Sequence, residues 1–287
     1  MVKIMNYIGT SGYDYKWWNK QIIPGKAAFY TSGDKLQQYA EHFNYVEINS
    51  TFYKVPSLKA VKKWRDSTPD DFSFVVKVNN AMTQYKKLID FDKRFPEFHD
   101  LMSNLGGKLK GYLIQLPPNF TNSGRKSKVD GLTPLERVIK ATKVECDVDI
   151  FVEFRHSSWF CDEVYAALKG KWHIVFVNAH CFKTMAKGFS PPLKDFEKVV
   201  TNKIMFRCHG TWQKHYSGAY SDEDLMLMAS LQQEKTIVSF DNTDSFEYES
   251  EIQLFPGKLM IEKEAHTTDR IYPHAVSDAL RMQMIMN

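Results

Sequence analysis

The sequence predicts an α/β fold, a single (β/α)8 TIM-like barrel spanning residues 1–287, with an insertion before its terminal helix. Three observations carry this expectation. Eight strand-like runs are spread through almost the whole chain, and apolar positions at helical spacing recur between them. The 287 residues show no internal repeat and no Pro/Gly/Ser-rich linker that would divide them into two bodies. An open α/β sheet with irregular additions is the alternative, and a closed strand ladder separates the two.

Taken in order, Lys3 to Ile8 suits a short strand, after which Gly9-Thr10-Ser11-Gly12 reads as a turn. Asp34 opens a segment in which Leu36, Tyr39, Ala40 and Phe43 recur at helical spacing, followed by a strand over Tyr45 to Asn49. Leu58, Val61 and Trp64 mark a helix bounded by Pro56 and Pro69, and the strand Phe72 to Lys77 follows. Phe98, Leu101, Met102 and Leu105 give the next helix an apolar face; Gly106-Gly107 turns the chain into the strand Gly111 to Leu116, which Pro117-Pro118 stops. Past a polar loop, a helix over Leu132 to Thr142 leads to the strand Asp149 to Phe154. Three more strands fall at His173 to Val177, Lys203 to Cys208 and Thr236 to Phe240, with helices at Cys161 to Leu168, Pro192 to Val199 and Asp222 to Gln233. Thr243 to Arg270, acidic and mixed, reads as an insertion (243–270) over one barrel rim; Ala275, Leu280 and Met284 then supply the buried face of a terminal helix.

Composition narrows the class. With 43% hydrophobic and 25% charged residues the chain is neither disordered nor fibrous, and four cysteines in its second half do not make a disulfide scaffold. No apolar run approaches the roughly 20 residues that span a bilayer, and no cleavable leader is visible, so a soluble, intracellular protein without membrane insertion is expected. The formal charge of +4 is too small to identify a nucleic-acid binder, while 14% aromatic residues could line a cleft as well as a core.

In a barrel the C-terminal strand ends converge on one face, so distant residues meet there. The candidates are Thr10, Ser11, Glu47, Asn49, Lys77, Gln115, Glu153, Arg155, His156, Asn178, His180, Arg207, His209, Asp241 and Asn242. Because residues i and i+2 share one side of a strand, Glu47 can face with Asn49, Glu153 with Arg155, and Arg207 with His209. A carboxylate beside an imidazole handles protons, and an arginine fork holds an anion, so a proton-handling cleft with an anion clamp is the functional reading. Structural ion pairs and loop anchors are the equally weighted alternative, and Lys77 and Gln115 lean toward packing. The opening Gly9 to Trp18, with Tyr13 among its aromatics, can flank such a pocket. Neither GxGxxG nor GxxxxGK[ST] is present, which lowers nicotinamide and P-loop nucleotides. Glu47, Glu153, His156, His209 and Asp241 could serve a divalent metal, although no spacing motif establishes one, and the adjacent Cys208 should point away from the mouth.

The segments GTSGYDYKWW (9–18), VEINSTFYKVP (46–56), LIQLPPNF (113–120), FVEFRHSSW (151–159), RCHG (207–210), AYSDEDL (219–225) and FDN (240–242) together resemble the DUF72 or YecE-like family. The resemblance implies a TIM-barrel-like fold of generally unassigned biochemistry, and a pocket drawn from Glu47, Asn49, Lys77, Gln115, Glu153, Arg155, His156, Arg207, His209 and Asn242. Tyr13 stands where the family's opening carries Trp, and Asn178 where relatives often carry an acidic group. The expectation is a small-molecule-binding barrel of hydrolase or lyase type, with Glu153 or His156 accepting a proton, His209 donating one, and Arg155 or Arg207 stabilising an anion. Two alternatives stay open: a noncatalytic binder of a small anionic or polar ligand, and a nucleic-acid-binding or metal-dependent phosphoester-processing protein. Oligomeric state is left open.

Overall fold

Parity along the strands organises the molecule. The computed structural model describes residues 4–19, 28–178, 190–210, 216, 218–243 and 274–286. Its strands are β1 (Met5–Ser11), β2 (Tyr45–Ile48), β3 (Ser73–Lys77), β4 (Leu109–Gln115), β5 (Asp149–Glu153), β6 (His173–Ile174), β7 (Phe176–Asn178), β8 (Lys203–Cys208) and β9 (Lys235–Phe240). They form one sheet in the order β6-β5-β4-β3-β2-β1-β9-β8-β7, and every neighbouring pair is parallel. The two strands at the ends of that order, β6 and β7, are joined through the single residue Val175, whose N–H donates to Val152 O at 2.9 Å. The sheet is thus nearly closed into a TIM-barrel-like fold. The expected eight strands become nine because the run His173 to Val177 is divided rather than continuous.

Around the sheet lie α1 (Lys35–Ala40), α2 (Ser50–Tyr53), α3 (Leu58–Asp66), α4 (Phe91–Met102), α5 (Pro134–Ala141), α6 (Asp162–Leu168), α7 (Phe196–Val199), α8 (Asp222–Ser230) and α9 (His274–Met286). Local chemistry starts several of them. Asp34 caps α1 by accepting from Leu36 N and Gln37 N, and Thr133 with Glu136, or Ser221 with Asp224, forms a reciprocal capping box at α5 and α8. Among the described residues no helix is long and apolar enough to cross a membrane.

Successive strand residues point to opposite sides, so the barrel has two cores. Tyr45, Val75, Leu113, Phe151, Val175, Val177, Met205 and Ile237 fill the interior. Their neighbours Val46, Phe74, Val76, Tyr112, Ile114, Val152, Phe206 and Val238 pack outward in the larger core with the helices. Cys208 is in that outer core, 3.6 Å from Met228 Sδ, away from the mouth as parity requires.

Two sequence expectations change. The Gly9-Thr10-Ser11 stretch is not a turn; β1 continues to Ser11, and Gly9 is there because an added Cβ would sit 2.2 Å from Tyr45 O and 2.6 Å from the Tyr39 hydroxyl. The turn starts at Gly12, whose φ of 85° suits glycine. Along α9, Ala275 is buried and Leu280 half-buried, but Met284 is 74% exposed; the buried face runs instead through Val276, Ala279 and Met282, which keep helical spacing. Of the insertion at 243–270, only Thr243 falls within the described residues, as His180 does not.

The close approach at Gly9 is testable. Gly9→Ala should destabilise the protein by about 2–4 kcal/mol in urea unfolding, because backbone cannot yield as a flexible side chain would. Gly107→Ala, where a Cβ meets nothing within 4 Å, should change stability by less than about 0.5 kcal/mol.

Candidate functional site

Advancing two residues from the apolar interior raises each strand by one storey on the same side. Tyr45, Val75, Leu113, Phe151 and Met205 give way in this manner to Glu47, Lys77, Gln115, Glu153 and Arg207, and Ile237 is followed by Ser239 and then Asp241. A layer of charge therefore lies directly on a dry core, at the C-terminal strand ends.

Arg207 is its centre, with a fully buried side chain. Nε and Nη2 donate to the two oxygens of Glu47 at 2.9 and 2.8 Å. Nη1 donates to Glu153 Oε2 at 2.6 Å, and Nη2 also reaches Asp241 Oδ2 and Ser11 Oγ, both at 3.0 Å. The Ser11 hydroxyl donates to Glu47 Oε1 at 2.5 Å while accepting from Asn49 Nδ2 at 2.6 Å. Arg155 pairs through Nε with Glu153 Oε1, and its Nη2 lies 3.3 Å from Gln115 Oε1.

These contacts set the ionisation states. Burial works against charge on Glu153, but Arg155 and Arg207 outweigh it and hold its carboxyl well below the usual range. For Asp241 burial is likewise overcome, by Arg207 and then His209, and its pKa is lowered. Burial opposes the Arg207 charge too, yet Glu47, Glu153 and Asp241 raise its pKa well above the ordinary value.

His209 is bracketed by donors on one nitrogen. Nε2 faces Arg207 Nη1 at 3.2 Å and Arg155 Nη2 at 3.4 Å, and neither guanidinium can accept. That arrangement assigns the lone pair to Nε2 and the ring proton to Nδ1, which lies 3.1 Å from Asp241 Oδ2.

Three of the sequence candidates are directed elsewhere. Thr10 faces outward, where its N–H donates to the Tyr39 hydroxyl at 2.8 Å. His156 caps the short turn Ser157–Trp159, accepting from Ser158 N at 3.1 Å. Asn242 donates to Gly218 O and to Asp278 on α9, both at 2.8 Å, and so anchors the terminal helix.

A cavity of about 470 Å³ opens beside the charged layer. Asn49, Lys77 and Asp241 line it together with the aromatic walls Tyr13, Tyr15, Tyr53 and Tyr216. Burial raises the Tyr13 hydroxyl to about 12 and raises Tyr15 and Tyr216 as well, so all three stay protonated at neutral pH. The Tyr216 ring sits 5.2 Å from that of His209. Lys77 is the cavity's cation: burial first, and the Arg207 charge second, bring its pKa down to about 8 against the pull of Glu47, Asp241 and Glu153. Its Nζ lies 4.4 Å from the centre of the Phe52 ring. The sequence offers Asp241 as a strand-end candidate and a metal ligand but not as a member of the pocket; its even spacing from Ile237 was the available signal for the interior.

Of the groups expected to serve a metal, Glu47, Glu153, Asp241 and His209 Nε2 face arginines, and His156 is engaged by Ser158. Among the described residues the grouping whose ligand atoms approach one another closely enough for a metal is His99, Cys146 and Asp147, away from the strand-end layer.

Comparison with known proteins places the chain. The family described as "Protein of unknown function DUF72" matches residues 7–269. UPF0759 protein YunF of Bacillus subtilis is 32% identical over 244 residues, 80% of each chain. UPF0759 protein YecE of Escherichia coli K12 is 34% identical over 116 residues, 40% of this chain and 39% of that one. Among solved structures, a DUF72 family protein of Thermotoga maritima superposes with a TM-score of 0.65 at 25% identity, covering 89% of this chain and 99% of its own. One from Enterococcus faecalis gives 0.64 at 18% identity, covering 100% and 99%.

Removing the central cation should be costly. Arg207→Met removes the guanidinium shared by Glu47, Glu153 and Asp241, leaving Arg155 paired with Glu153 alone, and should destabilise by about 3–5 kcal/mol at pH 7. Because the Glu153 pKa is lowered on folding, its contribution is present above the unfolded carboxylate value, about pH 4, and is lost as pH falls through the folded one. The stability gap between wild type and variant should accordingly narrow in denaturant titrations below about pH 4.

Proposed function

The chain belongs to the DUF72 family, and for this member we propose a small-molecule-binding barrel whose ligand is a polar compound held in the strand-end cavity, with acid–base chemistry of hydrolase or lyase type. One observation carries the reading. Lys77 is 8% exposed and lines the cavity, yet among the described residues its Nζ makes no hydrogen bond or ion pair. A buried cation left without an acceptor is costly unless something outside the chain supplies one.

The roles follow from which groups are already engaged. Arg207 directs all its nitrogens at Glu47, Glu153, Asp241, Ser11 and His209, so its fork is an organiser of the layer rather than a clamp for a ligand. Glu153, fully buried between two arginines and off the cavity lining, supports the same role. Asp241 is ionised, lines the cavity and touches His209, which makes this pair the proton acceptor of the proposed chemistry. Lys77 meets an electron-rich group of the ligand, Asn49 hydrogen-bonds it, and the protonated tyrosines wall it in. In the charged layer Arg155, Arg207 and Lys77 match Glu47, Glu153 and Asp241 in number, and Asp14 adds a carboxylate to the cavity wall, which favours a polar ligand of low charge over a multiply charged phosphoester.

Lys77→Met tests this. The variant should lose ligand affinity by at least about tenfold, read by tyrosine and tryptophan fluorescence or calorimetry against a panel of small hydroxy, carboxy and carbonyl compounds. It should fold at least as stably as wild type, gaining about 1–3 kcal/mol at pH 7. The sign follows from a lowered pKa on a base: between the folded value of about 8 and the ordinary lysine value the unfolded chain binds more protons, so wild-type stability falls as pH drops through that window, and the variant escapes this fall. A variant that is less stable at pH 7, with unchanged binding across the panel, would overturn the reading.

A further inference from the structure

We infer that Lys77 is a covalent nucleophile that forms an imine with a carbonyl ligand, and that the ligand class is the short hydroxyaldehydes and hydroxyketones; this rests on the cavity being the ligand site.

The other buried lysine among the described residues shows what a structural lysine looks like here. Lys108 is also 8% exposed, but its Nζ donates to Arg65 O at 2.6 Å, to Thr68 O at 2.7 Å and to Thr68 Oγ1 at 3.2 Å. Lys203 and Lys235 likewise end on Asp149, at 2.6 and 2.5 Å. Lys77 alone of these directs its nitrogen into a cavity with only the Phe52 face beside it. Among the described residues nothing holds the amine in an ion pair, so its lone pair is available once the proton has left. With a pKa of about 8, about one molecule in ten carries the free amine at pH 7, and about half at pH 8.

The surrounding groups suit the reaction. The Lys77 nitrogen adds to the carbonyl carbon, forming the C–N bond of a carbinolamine; the nitrogen then gives up its two protons, the C–O bond breaks, and the oxygen leaves with them as water. Amine plus carbonyl thus yields imine plus water, with no change of oxidation state. Asp241 is held as a carboxylate and can take the proton from nitrogen, and Tyr216, whose hydroxyl stays protonated, lines the same cavity as a proton donor for the leaving oxygen. Once Lys77 is committed to the imine no unpaired cation remains for a phosphate, whereas Asn49, Asp241 and the tyrosine hydroxyls match the hydroxyl groups of a small polyol. A volume of about 470 Å³ is at the small end of ligand pockets.

Reductive trapping tests the inference on the whole wild-type chain. Glycolaldehyde, glyceraldehyde and dihydroxyacetone are the probes, each added with cyanoborohydride, and peptide mapping by mass spectrometry compares Lys77 with the exposed lysines Lys59 and Lys62. Lys77 should be modified at least about tenfold faster, saturably in probe, with a rate rising through about pH 8. Binding of the same probes without reductant is followed by calorimetry. Probe that binds and is lost in Lys77→Met, but leaves Lys77 no more labelled than Lys59, overturns the imine and leaves the ligand site standing. Probe that neither binds nor labels Lys77 overturns the imine as well, and failure of the wider ligand panel with it would remove the site.

Discussion

One buried guanidinium is the constraint on which the rest of the mouth depends. Arg207 on β8 binds Ser11 on β1, Glu47 on β2, Glu153 on β5 and Asp241 just past β9, so a single side chain spans the barrel's interior and links five of its strands. Such a network is expensive: three carboxylates and a guanidinium lose their water, and well-packed apolar residues of similar volume would commonly stabilise as much or more. Stability alone therefore does not explain it. What the network supplies is fixed geometry at the end of a sheet whose closure is itself incomplete, since β6 and β7 meet only through Val175.

Fixing Arg207 determines what its neighbours can do. Its charge, with that of Arg155, holds Glu153 ionised and keeps Asp241 ionised too, and its Nη1 and Arg155 Nη2 both face His209 Nε2. His209 in turn places Nδ1 3.1 Å from Asp241 Oδ2. The same positive charge reaches Lys77 and adds to burial in weakening that ammonium. An arginine that is not part of the cavity lining thus sets the electrostatics of Lys77 and Asp241, which are, and this is why anion binding read directly onto Arg207 from its sequence context gives way to a role at one remove.

Much of this was legible in strand parity. The pairs Glu47 with Asn49 and Arg207 with His209 do share their sides, and Ser11, Gln115, Glu153 and Arg155 join the same hydrogen-bonded layer. Parity also shows why some candidates fail to arrive: Thr10 and Ser11 cannot both face in, nor can Asp241 and Asn242, and in each pair the second choice is settled by where the strand really ends. For β1 that end was hidden because Gly9 resembles a turn residue, whereas its small size answers to Tyr45 O and the Tyr39 hydroxyl, contacts from 30 or more residues away in sequence. His156 illustrates a different limit, for a residue past a strand end obeys its local turn and not the strand's alternation. Lys77 obeyed parity, but no one-dimensional pattern reveals whether a buried lysine has found an acceptor.

The two ends of the barrel make that last distinction informative. At the N-terminal end Asp149 gathers Lys203, Lys235 and, at 3.8 Å, His173, and its carboxyl is driven far down despite burial. Lys203 and Lys235 both end on its carboxylate oxygens, and Lys108 and Lys110 on backbone carbonyls. At the C-terminal end the same residue types recur, and three carboxylates lie within the layer, yet all three are turned toward arginines and Lys77 is bypassed. Folding could have satisfied the amine by the device it uses at the opposite end. An amine held next to carboxylates but tied to none of them is a strained arrangement that stability does not select, and a barrel mouth with a cavity over it is where such strain can be relieved by a ligand.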